Sequence, residues 1–114
     1  MFIDLPVPEF VTTRGTQFSI GGWAIDRAST AGAGIEAIHV WAYPTSGAAP
    51  IFVGATTVGH MRNDVAAHFG AQFAASGYSL QGSLPAGDYN LVVFALSSIA
   101  QQFNNAAGVH IRVF

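Results

Sequence analysis

The sequence predicts an all-β sandwich of about seven strands with one short helical turn near residues 64–69. Three observations predict it. Turn residues recur at short intervals: Pro6 and Pro8, Gly21-Gly22, Gly32 and Gly34, Pro44 to Pro50, Gly59, Gly77, Pro85 to Gly87, and Asn104-Asn105. Short apolar runs lie between them, which is the rhythm of a sandwich. Finally, Leu84-Pro85-Ala86-Gly87-Asp88-Tyr89 carries a turn straight into the apolar run Leu91-Val92-Val93, with a tyrosine at the corner. In sandwiches such a ring is buried and its hydroxyl bonds back to the backbone just upstream.

The elements follow in order. Residues 3–12 form an edge strand, because Pro6 and Pro8 cannot donate to a central ladder. Residues 16–25 form the second strand, 35–43 the third, 51–58 the fourth and 78–83 the fifth. Residues 88–97 and 108–114 complete the set. The interruption is 63–75. There Asn63 or Asp64 suits a helix N-cap, and Val65, Phe69 and Phe73 recur every fourth residue, which lays one apolar side on the sandwich.

Composition bounds the function. The chain has 114 residues, which suits one domain, 1–114. Hydrophobic residues make up 51%, enough to fill a core. Charged residues are only 9%, against ~25% in ordinary domains. Lysine is absent, and the cations are Arg14, Arg27, Arg62 and Arg112. A net charge of −2 gives no footprint for nucleic acid or for an acidic membrane. So little charge does little to keep copies apart, so self-association is one expectation. A domain of a longer secreted protein, kept soluble by its neighbours, is the other.

There is no cysteine, which excludes disulfides and thiolate metal sites. No apolar run reaches the ~18 residues of a membrane-spanning helix. Met1-Phe2-Ile3-Asp4 lacks the basic start and apolar stretch of a signal peptide. Export would therefore need an upstream segment; otherwise the protein stays inside.

A set of motifs follows in recognisable order: Gly22-Trp23-Ala24-Ile25-Asp26, Gly34-Ile35-Glu36-Ala37-Ile38-His39-Val40, Arg62-Asn63-Asp64-Val65, Ser76-Gly77-Tyr78 and Leu84-Pro85-Ala86-Gly87-Asp88-Tyr89. Over residues 16–114 the chain resembles the bacterial immunoglobulin-like domains that recur in secreted and cell-surface proteins. Those domains carry a Gly-Trp-Ala-x-Asp strand and an Arg-Pro-Asp-Val segment; here Asn63 stands at the proline. The resemblance implies an immunoglobulin-like sandwich at the cell surface or outside it, with a non-catalytic role as spacer, adhesion or ligand-presenting module. It supplies no catalytic residues.

Strand alternation divides the candidate surface from the core. Ile38, Val40 and Ala42 point one way, and His39, Trp41 and Tyr43 the other. The corner places Tyr89, Leu91, Val93 and Ala95 inward, leaving Asn90, Val92, Phe94 and Leu96 outside. On the last strand Val109, Ile111 and Val113 suit the core, while His110, Arg112 and Phe114 face away. These three strands are sheet neighbours in an immunoglobulin-like sandwich. Their outer faces combine His39, Trp41, Tyr43, Val92, Phe94, His110 and Phe114 into a weakly charged aromatic patch. Such a patch marks a protein interface, or a sugar-stacking platform, unless segment 60–75 folds over it. Asn90 is the one obvious polar partner for a sugar.

Trp23 has two readings. Alternation from Phe18 and Ile20 turns it outward, whereas a bulge at Gly21-Gly22 would flip the register and bury it. The bulge is the expectation. Asp26, Arg62 and Asp64 form the most specific polar set. The expected arrangement is an Arg62–Asp26 ion pair, with Asp64 capping the helical turn. A calcium site on Asp26, Glu36 or Asp64 lacks the dense Asp/Asn/Gly ladder of such loops.

The histidines are scattered at 39, 60, 68 and 110. His60 and His68 have the wrong spacing for a helical zinc pair. His39 and His110 could meet across strands, yet they would lack a third ligand. No metal or cofactor is expected. Catalysis has no motif behind it either. There is no Gly-x-Ser-x-Gly elbow, and Ala31-Gly32-Ala33-Gly34 lacks the lysine of a phosphate loop. The reading is a non-enzymatic extracellular module for structure or adhesion, acting through protein contacts. The alternatives are a carbohydrate-binding module using the same rings and a self-assembling subunit of a surface filament.

Overall fold

A single crossing near the N-terminus sets the topology. The computed structural model describes all residues, Met1–Phe114. Its first strand, β1 (Phe2–Leu5), ends at a cis Leu5–Pro6 bond, and the chain then passes to the other layer as β2 (Phe10–Thr12). The expected single edge strand over 3–12 is therefore two strands in two sheets. Pro6 and Pro8 fall in the crossing, where no ladder needs their missing N–H groups.

The remaining elements are β3 (Phe18–Trp23), β4 (Ile35–Pro44), β5 (Ile51–Thr56), α1 (Asn63–Phe69), a 3-10 turn (Ala71–Phe73), β6 (Gly77–Gly82), β7 (Gly87–Ser97) and β8 (Gln102–Val113). One sheet has the order β1-β3-β6, the other β2-β8-β7-β4-β5. All pairs are antiparallel except β2 with β8. The last strand starts at Gln102, well before the expected 108, because β7 and β8 stay paired almost to their connecting turn. No helix is long and apolar enough to cross a membrane.

Period-two alternation builds the core. Phe18 and Ile20 of β3 face Ile38, Val40 and Ala42 of β4, with Leu91 and Val93 of β7 and Ile111 of β8; all eight are buried. Tyr89 is 3% exposed, and its hydroxyl donates to the Pro85 carbonyl at 2.9 Å. A Cβ at Gly87 would sit 3.0 Å from that ring and its hydroxyl, so a side chain there would press on the ring.

The glycine pair in β3 is no bulge. The β3–β6 ladder runs without a shift from Phe18↔Gly82 to Trp23↔Gly77. Gly22 is small for another reason. It faces inward opposite Tyr78, and β1 crosses so closely that a Cβ would overlap the Phe2 carbonyl oxygen. Trp23 therefore keeps its outward position. It is half-buried because α1 lies over it, with the Phe69 ring centroid 5.4 Å away.

That cover settles where segment 60–75 goes. Val65 and Phe73 are buried with Ile25 and Ala33 in a second small cluster, against which Trp23, Val58 and Phe69 pack. The outer face of the five-stranded sheet is left bare. Arg62, not Asn63 or Asp64, occupies the N-cap position, and its side chain does not cap. Asp64 lies in the first turn, where a negative charge suits the helix dipole.

Candidate functional site

The bare face is built from alternate residues of three long strands and one edge strand. His39, Trp41 and Tyr43 project from β4, opposite Phe94, Val92 and Asn90 of β7 in that order. Next along, β8 sets Ala106 beside Phe94 and Gly108 beside Val92. These small residues leave a low floor beside the rings. Phe103, at the start of β8, reaches back over His39 with centroids 4.8 Å apart. On the other side Phe52 of β5 meets Trp41 at 5.1 Å and His39 at 5.7 Å, both edge to face. The result is a shallow depression of about 260 Å³ lined by His39, Trp41, Tyr43, Phe94 and Phe103.

Several of these rings remain wet. Phe52 is 48% exposed, Phe103 42% and Tyr43 38%. Exposed aromatic clusters of this kind are unusual on a surface that meets only water. Phe52 and Phe103 were absent from the sequence reading. Phe52 follows Ile51 in a run with no clear alternation, and a register shift in the β4–β5 ladder brings it opposite Trp41. Phe103 lies in what reads as the loop before the last strand.

The other expected members of the patch sit elsewhere. His110 lies two strands from Tyr43, in the Asn90 row, and does not meet His39, which lies in the Phe94 row. It is held instead between two carboxylates. Its Nδ1 is 2.9 Å from Glu9 Oε2, and its Nε2 is 2.5 Å from Asp88 Oδ1. The hydrogen bond to Glu9, with the charge of Asp88, raises its pKa above the ordinary imidazole value. The Glu9 amide also donates to the His110 carbonyl at 2.8 Å, with Glu9 in the left-handed region at φ 63°. Phe114 is exposed at the chain end, beyond Asp88 and Arg112, with its amide on the Thr12 carbonyl. Val92 is half-buried, opposite Trp41 in the β4–β7 ladder.

The polar set is also rearranged. Arg62 does not pair with Asp26. It reaches Asp4 through Nη1 at 2.6 Å and grips Asp64 in a fork, with Nε at 3.0 Å and Nη2 at 2.8 Å. The Arg62 hydrogen bonds hold the Asp64 carboxyl down to about 2. Asp26 accepts a short bond from the Ser97 hydroxyl and a 2.9 Å bond from the Ala28 amide. In that order these two donors lower its pKa. The Ser97 oxygen in turn accepts the amides of Ile99 and Ala100 at 3.1 and 3.0 Å. Asp26 thus joins the 26–34 loop to the β7–β8 turn. No group of three or more His, Asp or Glu side chains converges to hold a metal ion.

Two sheets, the buried corner tyrosine and the long β7–β8 pair define an immunoglobulin-like β-sandwich. Among solved structures, the chain is similar to the fibronectin(III)-like modules of Clostridium thermocellum CbhA, with TM-score 0.55 and 14% identity over 99% of this chain and 45% of that one. At that identity the likeness is one of fold. No protein-family model and no curated protein matches the chain.

Proposed function

We propose that this chain is a non-catalytic extracellular module for structure or adhesion, and that it works through protein contacts at the outer face of the five-stranded sheet. One observation carries the reading: rings from four strands converge on a face that no other part of the chain covers. Aromatic residues are the side chains that anchor protein interfaces, because they bury much area at little entropic cost. The residues around the depression include no carboxylate pair and no activated nucleophile, which supports a binding role over a chemical one. The extracellular setting is supported by the resemblance to immunoglobulin-like domains of secreted proteins.

The ring geometry favours a protein over a sugar. His39 and Phe103 meet at 44°, and Trp41 and Phe52 at 62°, so the rings form walls and not one plane. A pyranose wants a flat ring face and paired polar groups beside it, and here Asn90 is the main polar neighbour. The test compares particles coated with the parent and with Trp41→Ala for adhesion to protein-coated and glycan-coated surfaces. Trp41-dependent adhesion to protein alone is the expected result. Trp41-dependent retention on glycans would overturn it in favour of the carbohydrate reading.

A further inference from the structure

We infer that the depression between Trp41, Tyr43, Phe94 and Phe103 receives the guanidinium group of an arginine presented by a protein partner. This rests on the reading of the outer sheet face as a contact surface and names what that surface recognises.

The argument is electrostatic. Every residue lining the depression is a π system, and no lysine, arginine, aspartate or glutamate is among them. Aromatic faces carry negative potential, and a cation within about 6 Å of a ring centroid is attracted to it. None of the four arginines of the chain lines the depression. Lysine is absent. Arg27 lies over Phe69 at 5.7 Å, Arg62 is held by Asp4 and Asp64, and Arg112 stands beside Asp88. An incoming cation therefore meets the rings of Trp41, Tyr43, Phe94 and Phe103 beside the imidazole of His39, on a chain of net charge −2.

Shape selects the type of cation. The rings are tilted against one another, and the floor is lowered by Ala106 and Gly108, so a planar group can lie against one ring with another at its edge. With no carboxylate in the wall, recognition depends on stacking, and the guanidinium stacks on rings and sheds water more readily than an ammonium does. The open rim lets its N–H groups keep water or reach Asn90.

N-acetyl-arginine amide and N-acetyl-citrulline amide have nearly the same shape, and only the first is charged. Each is titrated into the full chain while the ring resonances of Trp41, Tyr43 and Phe103 are followed by NMR. The expected result is saturable shifts with the arginine probe and about two- to fivefold weaker binding of citrulline, the ratio of one exposed cation–π contact. Phe103→Ala, at an exposed position, should weaken the arginine probe while leaving the core methyls of Ile20 and Leu91 unmoved. Equal binding of the two probes would overturn the guanidinium assignment and leave the face as a contact surface. So would the absence of ring shifts with either probe. Arginine-induced shifts that survive both Phe103→Ala and Trp41→Ala would overturn the assignment and count against the face itself.

Discussion

The hydroxyl of Tyr78 donates to the carbonyl of Phe2 at 3.1 Å, directly above Gly22. Tyr78 is 2% exposed, and burial, the largest cause, pushes its phenol well above the ordinary tyrosine pKa. The contact joins β1 to β6 across the middle strand of the smaller sheet. It works only because residue 22 has no side chain. Gly22→Ala should therefore destabilise by about 1–3 kcal/mol or more, since the atom in the way is backbone and cannot swing aside. Tyr78→Phe removes only the hydrogen bond and should cost ~1 kcal/mol. Urea unfolding of the two variants checks the order; an unchanged midpoint for Gly22→Ala would refute the close crossing.

The Tyr89 corner makes a similar prediction on the larger sheet. Its hydroxyl meets the Pro85 carbonyl at 2.9 Å, so Tyr89→Phe should lose ~1 kcal/mol with the ring still packed. Tyr89→Ala should lose about 3–5 kcal/mol, because it also empties a core site. Thermal melts by circular dichroism separate the two.

His110 gives a pH dependence with a definite sign. Its folded pKa is raised by the Glu9 hydrogen bond and the Asp88 charge, above the ~6.5 of an unfolded chain. The stability it adds is fully present below the unfolded value and is lost as pH rises through the raised folded value. The gap between the parent and His110→Gln should thus be larger at about pH 5.5 than at about pH 8.5. Unfolding midpoints at the two pH values test it, and a gap that widens towards alkaline pH would contradict the geometry.

Asp26 and Ser97 should behave as one unit. A double-mutant cycle of Asp26→Asn with Ser97→Ala should show a coupling of ~0.5–3 kcal/mol, as contacting residues in one network do. The cycle of Asp26→Asn with Arg62→Met should be additive within about 0.5 kcal/mol. Coupling in the second cycle and none in the first would restore the Arg62–Asp26 pair that the sequence suggests.

Much of the candidate surface is legible in the chain itself. His39, Trp41 and Tyr43 alternate with Ile38, Val40 and Ala42, and a strand with one buried face must send the first set outward. Phe94 follows by the same rule once Tyr89 anchors the inward register of β7. Local pattern could not place His110 or Phe114 in the row structure of the sheet, because rows are set by ladder register between distant strands. It also misread Gly21-Gly22, whose smallness answers to β1 crossing from elsewhere.

What the sequence determined by itself is the set of properties carried by neighbours along the chain: strand periods, turns, the tyrosine corner and the scarcity of charge. What only the tertiary structure decided is which distant groups meet. Arg62 chose Asp4 over Asp26, Ser97 took Asp26, and Phe52 and Phe103 closed on the β4 rings. The physical reason is range: alternation is imposed by bonds between adjacent residues, whereas an ion pair or a ring contact forms only after two strands have found their register in space.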